Sequence, residues 1–325
     1  MNISILGAGT WGCALARLLR LNGHTITLWS SNPAHAAELQ ATGRHPILPD
    51  TLLPRDIFYT TDLEVACRQP DMLLFVTAST YIRSTAAAAA PYIRPGQLIL
   101  SAAKGVEAGS LFTMSQVIED AVSPTPVRMG AISGPTHAEE VSRDMPTAMV
   151  GAAMDMETAE WTCRAFSGPN MRMYPSDDLL GVELCGAFKN IIALAAGIAR
   201  GLGCCGDNAL AALITRGMAE VKRLGQSLGC RDETFEGLAG VGDLIVTCSS
   251  RHSRNMNAGL LLGQGLPAEE AIEKIGMVVE GIHALDAAME LAAKNQVRMP
   301  ITTAVNDVVH HAADPRSMLE RLMTG

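Results

Sequence analysis

The segment Ile3-Ser4-Ile5-Leu6-Gly7-Ala8-Gly9-Thr10-Trp11-Gly12 places a Gly-x-Gly-x-x-Gly loop between a short apolar run and a helical pattern, at the start of a 325-residue chain. Few motifs constrain a fold as tightly. Gly7 permits the tight turn out of the first strand, Gly9 lets a diphosphate approach the backbone, and Gly12 lets the following helix pack closely on the strand. The N-terminus of that helix then offers unpaired N–H groups and the positive end of its dipole to an anion. A glycine turn can also join strand to helix without any ligand, but this placement, opening a β-α-β unit, favours a dinucleotide. The second β-like run ends at Trp29-Ser30-Ser31-Asn32, and no acidic residue follows before Glu38. An acid there would bind a free ribose hydroxyl and repel a 2′-phosphate. Its absence permits NADP as well as NAD, and Ser31 and Asn32 are able to donate to the ribose of either.

Short β-like runs at Ile3 to Leu6, Thr25 to Trp29, Met72 to Val76, Gln97 to Ser101, Arg128 to Ser133 and Thr147 to Gly151 alternate with helical patterns. Alternation of this kind predicts an α/β Rossmann domain, doubly wound on a mostly parallel sheet. From about Asp178 the β-like runs become scarce, and helical segments at Asn208 to Leu228, Ala268 to Ile275 and Ile282 to Lys294 dominate. The expected organisation is therefore a nucleotide-binding domain over residues 1–180 and an all-α C-terminal domain over 181–325, which would bind substrate and carry the chemistry.

With 48% hydrophobic and 18% charged residues the chain has material for two cores, and its net charge of -8 without any Lys/Arg cluster argues against a nucleic-acid surface. The first strand follows Met1 directly, so no secretory leader is read, and no apolar run approaches the roughly 20 residues of a spanning helix. A cytosolic protein without membrane insertion is expected. The eight cysteines contain no Cys-x-x-Cys, and neither Cys204-Cys205 nor His310-His311 has metal-ligand spacing. No metal and no disulfide framework are expected.

Candidate chemistry begins with Lys189, which lies in an otherwise uncharged stretch from Leu184 to Ala199. A lysine at a helix edge can lift its amine into water, yet these neighbours offer no polar face to reach. A buried ammonium costs several kcal/mol unless it is paired or gives up its proton, which makes Lys189 a candidate acid or base. Lys104 follows a β-like run. Thr136 and Glu139 have the spacing of a capping box, which explains them as well as ligand binding does. Gly240-Val241-Gly242-Asp243 leads to a polar cluster from Thr247 to Asn255, in which Arg251 and Arg254, three apart, suit either a phosphate or an exposed basic loop.

Taken together, these segments resemble the bacterial-type NAD(P)-dependent glycerol-3-phosphate dehydrogenases across essentially the whole chain. The resemblance is carried by the N-terminal loop with Trp11, Lys104-Gly105, Ser133-Gly134-Pro135-Thr136, Gly181-Val182-Glu183 leading to Lys189-Asn190, Leu213 to Gly217, Gly240 to Asp243, Ser253-Arg254-Asn255 and Val278-Val279-Glu280-Gly281. It implies a proton-transferring Lys189 with Lys104 and Asp243 beside it and with Asn190 and Thr247 in the same pocket. It also implies a phosphate grip by Arg254 and Asn255, and a substrate site lined by Gly134, Thr136 and Ser253. The cofactor would meet Thr10, Trp11, Ser31, Lys104, Ala138, Arg254, Val278 and Glu280. Ser30-Ser31 stand where the family carries a basic or polar pair, and His137 stands where it has Phe. The Gly201 to Asn208 stretch is one residue longer than usual, and Leu210 stands near a customary basic residue.

The implied reaction is NAD(P)H-dependent reduction of dihydroxyacetone phosphate to sn-glycerol 3-phosphate, reversible, supplying glycerophospholipid synthesis. Two alternatives stay open at this stage: a related two-domain, lysine-dependent dehydrogenase of another hydroxy acid, and an NAD(P) sensor without turnover. The apolar helical faces of the second domain are compatible with a homodimer.

Overall fold

The computed structural model describes residues 1–250 and 252–324, so Arg251, one of the two arginines noted above, lies outside the described residues. The chain divides into two compact units, Met1–Ala103 with Met114–Leu179 and Lys104–Thr113 with Leu180–Gly325. A single cut at residue 180 leaves 104–113 in the first domain. Lys104 instead belongs to the helical unit.

The first unit carries one eight-stranded sheet of β1 (Asn2–Leu6), β2 (Thr25–Trp29), β3 (Phe58–Thr60), β4 (Met72–Phe75), β5 (Leu98–Ser101), β6 (Arg128–Ser133), β7 (Thr147–Ala153) and β8 (Met171–Ser176). Their order is β3-β2-β1-β4-β5-β6-β7-β8. All neighbours run parallel except β6 and β7, which pair antiparallel with Ala131 opposite Ala152. Strands β1, β4 and β5 are almost wholly buried, which is why they read as continuous apolar runs. The sequence reading omitted β3 and β8. β3 has three residues, too few for a period, and β8 exposes every second residue and ends in Pro175-Ser176.

The second unit is built round the helix Leu179–Gly201, 23 residues long. By length and mean hydropathy this helix could cross a membrane, contrary to the expectation that no segment approaches that length. Its apolar character has another use, since 94% of its most hydropathic window is buried inside the protein. Close packing is written in glycine. A Cβ on Gly197 would come within 2.1 Å of Met256 O, one on Gly259 within 2.2 Å of Leu194 O, and one on Gly201 within 2.3 Å of Leu260 O. The helix Arg254–Gly263 therefore lies backbone to backbone against the central helix, and this contact fixes the register between Lys189 and Asn255. On another side Gly217, in the helix Asp207–Ser227, admits the Ile192 side chain.

Candidate active site

In the first unit the nucleotide loop takes the conformation its glycines allow. Gly7 has φ of 127°, which side-chain-bearing residues rarely adopt, and faces the Val76 backbone at 2.8 Å from where a Cβ would lie. A Cβ on Gly12 would stand 1.8 Å from Gly7 O, so the helix Thr10–Leu21 can approach the turn only with glycine there. Gly9, by contrast, is exposed and has open space beside it. No side chain caps this helix and its first turn has no acid, so its leading N–H groups remain for an anion. Two buried hydroxyls, Thr77 Oγ1 just beyond β4 and Ser133 Oγ at the end of β6, have no hydrogen-bond partner. Buried orphans of this kind are uncommon. Together with the loop they fit a polar, phosphate-bearing cofactor; Ser133 belongs to the Ser133-Gly134-Pro135-Thr136 motif, whereas Thr77 carries no signal in the sequence.

After β2, two of the three polar residues are committed to the backbone. Asn32 Oδ1 accepts from the N–H groups of Ala34 and His35 as the cap of the helix Pro33–Thr42, and Ser30 Oγ bonds the Asn32 backbone. Ser31 is the exposed residue of the group without such a commitment. His35 Nε2 lies 3.0 Å from Ala8 O and so donates to the glycine loop itself.

The capping reading of Thr136 fails. The helix Ala138–Val141 is preceded by His137 as its cap residue, and Thr136 Oγ1 donates instead to Gly134 O at 3.1 Å. Gly134 has φ of 146° and packs against Met149 Cα, which explains glycine there.

In the second unit one carboxylate organises the charges. Asp243 Oδ1 accepts from Lys189 Nζ at 2.5 Å and Oδ2 accepts from Lys104 Nζ at 2.6 Å. Lys189 is 5% exposed and Asp243 1%. Thr247 Oγ1 donates to Asp243 O at 2.6 Å, and with its one proton spent there it accepts from Lys189 Nζ. The turn that delivers Asp243 is a wide π-type turn over Leu238–Gly242 leading into the helix Asp243–Ser249. It requires Gly240, whose Cβ would fall 2.0 Å from Phe235 O.

Burial pulls the Lys189 ammonium down from its ordinary range to about 8. Asp243 opposes that fall, and the neighbouring Lys104 charge adds to it. Cys248 also faces Lys189, but burial pushes its thiol up to about 12, so it stays neutral. The result is a buried, paired lysine that can change protonation near neutral pH.

Beside it, Asn255 Nδ2 donates to Asn190 Oδ1 at 2.9 Å, Asn255 Oδ1 accepts from Gly281 N at 2.8 Å, and Asn190 Nδ2 reaches Gly186 O. In the sequence Gly281 stands out only as the last residue of Val278-Val279-Glu280-Gly281. Its role is to bring the start of the helix Glu280–Lys294 against Asn190, where a Cβ would meet the backbone at 2.6 Å. Ser253 caps the helix Arg254–Gly263 through Met256 N. Arg254 is exposed and spends one donor on Val278 O at 3.0 Å, leaving its remaining guanidinium N–H groups available. Val278 and Glu280 are half-buried on the same stretch. Lys104, Lys189, Asp243 and Thr247 thus form one hydrogen-bonded group, and Asn190 and Asn255 form a second that is joined to it through the Lys189-Asn190 backbone, while Gly7, Gly9, Thr10, Trp11, Gly12, Ser31, Gly134, Thr136 and Ala138 belong to the first unit. No group of three or more metal-ligating side chains occurs among the described residues.

Comparison with known proteins places the chain in a family. Sequence models of the NAD-dependent glycerol-3-phosphate dehydrogenase N-terminus and C-terminus match residues 2–159 and 178–320. The chain is 50% identical to a glycerol-3-phosphate dehydrogenase [NAD(P)+] of Lactobacillus delbrueckii subsp. bulgaricus over 99% of this chain and 96% of that one. It is 46% identical to one from Pelotomaculum thermopropionicum over 99% of this chain and 93% of that one. The crystal structure of glycerol-3-phosphate dehydrogenase from Coxiella burnetii superposes with a TM-score of 0.93 at 37% identity, covering 99% and 98% of the two chains. A ketopantoate reductase from Ralstonia eutropha shares the fold at 17% identity and a TM-score of 0.64. The chain belongs to the NAD-dependent glycerol-3-phosphate dehydrogenase family.

Proposed function

We propose that the chain reduces dihydroxyacetone phosphate to sn-glycerol 3-phosphate with NADH or NADPH, and that Lys189 is the proton donor. The observation that carries this reading is the Asp243 carboxylate holding one lysine on each oxygen, with Lys189 buried. When bound, the reduced nicotinamide supplies the hydride that converts the ketone carbon to a secondary alcohol. Lys189 commits two of its three N–H groups, to Asp243 and Thr247, so one remains for the ketone oxygen. As negative charge gathers on that oxygen the ammonium stabilises it and then transfers its proton. Asp243 keeps Lys189 charged against its own burial, and Lys104 keeps its acidity high enough for transfer near neutral pH.

Arg254, with its spare donors, and Asn255, with one amide proton free of the bonds above, would hold the phosphate. A firm grip there fixes the carbonyl in register, so binding energy distant from the reacting carbon assists the chemical step. On the first unit Gly134 and Thr136 would meet the substrate and Gly7 to Gly12, Ser31 and Ala138 the cofactor; on the second unit Ser253 would meet the substrate and Val278 and Glu280 the cofactor. The product is the backbone of glycerophospholipids, which suits a supply role in their synthesis.

The test is oxidation of NADH and of NADPH with dihydroxyacetone phosphate, ketopantoate and small 2-oxo acids in parallel. Preference for dihydroxyacetone phosphate by about a thousandfold in kcat/KM, on the order of 4 kcal/mol, is expected because a phosphate grip discriminates strongly. Preference for ketopantoate or a 2-oxo acid would replace the substrate, and tight cofactor binding without turnover would make the chain a sensor.

A further inference from the structure

Glu183 is 6% exposed on the Leu179–Gly201 helix, and nothing in the reaction above uses its carboxylate. Burying such a group is costly unless it is well bonded, so its placement calls for a reason. Its Oε2 accepts from Thr113 Oγ1 at 2.7 Å, and Thr113 is 1% exposed. Thr113 closes the excursion that begins at Lys104.

That excursion is a pinched loop. Val106 and Thr113 form an isolated bridge, Glu107 N donates to Phe112 O at 2.9 Å, and Leu111 N donates to Glu107 O at 3.0 Å. Ser110 Oγ donates to Glu107 Oε2 at 2.6 Å, and the turn is made by Gly109 at φ of 85° and Leu111 at 61°. A loop closed on itself still needs an outside anchor before it can place a side chain. The Thr113–Glu183 bond supplies one, on the same helix that bears Lys189.

We propose that Glu183 and Thr113 form a buried clasp that positions Lys104 against Asp243, making both of them positioning residues for the proton-handling group. Lys104 is two residues from the bridge at Val106, and two residues of chain reach at most about 7 Å, so fixing the bridge leaves Lys104 little slack. Glu183 precedes Lys189 by six residues, about 9 Å of helix rise, so the clasp ties the Lys104 loop and Lys189 to one rigid rod. The inference rests on reading Lys104, Asp243 and Lys189 as one electrostatic group. The charged and titratable groups that face Lys189 are Asp243, Lys104 and the neutral Cys248.

The test uses the full-length enzyme and follows the alkaline limb of kcat for dihydroxyacetone phosphate reduction in Thr113→Val, Thr113→Ser, Lys104→Met and the double variant Thr113→Val/Lys104→Met. Removing the hydroxyl but not the bulk should lower kcat about tenfold and move the limb upward by about one pH unit, toward that of Lys104→Met. Thr113→Ser, which restores the donor, should return both to within about twofold of the wild type. In the Lys104→Met background, Thr113→Val should add less than about twofold, since both substitutions act through one lysine.

A Thr113→Val enzyme with wild-type limb and kcat, where Lys104→Met does shift the limb, overturns the clasp and leaves the role of Lys104 standing. An unmoved limb in Lys104→Met instead overturns the electrostatic reading beneath it. If Thr113→Val does not fold, Thr113→Ala carries the same test with the same two outcomes, and Glu183→Gln is read beside it, because it keeps an acceptor oxygen and removes the charge. In Glu183→Gln an unmoved limb supports the clasp, and a shifted one makes Glu183 an electrostatic partner of the lysines and overturns it.

Discussion

Asp243→Asn puts the electrostatics of the site to a quantitative test. The substitution keeps the shape of the side chain and removes the charge that opposes desolvation of Lys189. Lys189 Nζ bonds Asp243 Oδ1 directly, and with the centres of the two delocalised charges taken as roughly 4 Å apart the attraction lost is about 4 kcal/mol at an effective dielectric constant near 20, or about three pH units. Lys189 starts from about 8, where burial and Lys104 lower it and Asp243 raises it. The sign follows: without Asp243 its pKa falls further, to about 5. Reduction needs the protonated lysine, so kcat in the wild type should decline above about pH 8, and in Asp243→Asn above about pH 5. At pH 7 only about 1% of the variant would carry the proton, a loss of about a hundredfold that acid pH should restore. The assay is kcat across pH 5 to 10, with a primary isotope effect from 4-deuterated NADH to confirm that hydride transfer is being read. A limb that stays near pH 8, or a loss equal at every pH, would refute the reasoning.

Three further outcomes follow from particular contacts. Gly259→Ala drives a methyl to 2.2 Å from Leu194 O and should cost about 3 kcal/mol, lowering the calorimetric Tm by about 6–12 °C. Ser31→Asp places a carboxylate at the exposed residue after β2 and should reduce kcat/KM for NADPH by at least about tenfold while changing that for NADH by less than about threefold. Asn255→Ala strands Gly281 N and the Asn190 amide oxygen, so stability measured by urea unfolding should drop by about 1–3 kcal/mol, and KM for dihydroxyacetone phosphate should rise more than kcat falls.

The nucleotide half of the fold was legible because its signals are local. Gly7, Gly9 and Gly12 each answer a backbone requirement within a few residues, and β1, β4 and β5 are buried on both faces. β3 and β8 were missed for the opposite reason, being short or half exposed at the sheet edges. Lys189 betrayed itself by standing alone among apolar residues. Its partner could not be read so directly, since Asp243 lies 54 residues away and meets it only through the π-type turn at Gly240. The same limit applied to Lys104, whose place in the helical unit depends on the pinched loop ending at Thr113. Thr136 shows how a local rule can mislead, because the spacing to Glu139 fits a capping box while the chain begins its helix one residue later and turns the hydroxyl toward Gly134.

Lys189→Met most directly tests the claim that one buried lysine carries the proton. It retains the apolar stem and leaves Asp243 paired with Lys104, so the fold should survive. Single-turnover reduction of dihydroxyacetone phosphate, measured beside NADH binding by fluorescence, should slow by about a thousandfold or more with binding changed less than about threefold. Reduction within about tenfold of the wild-type rate, with the pH limb still near 8, would contradict the account.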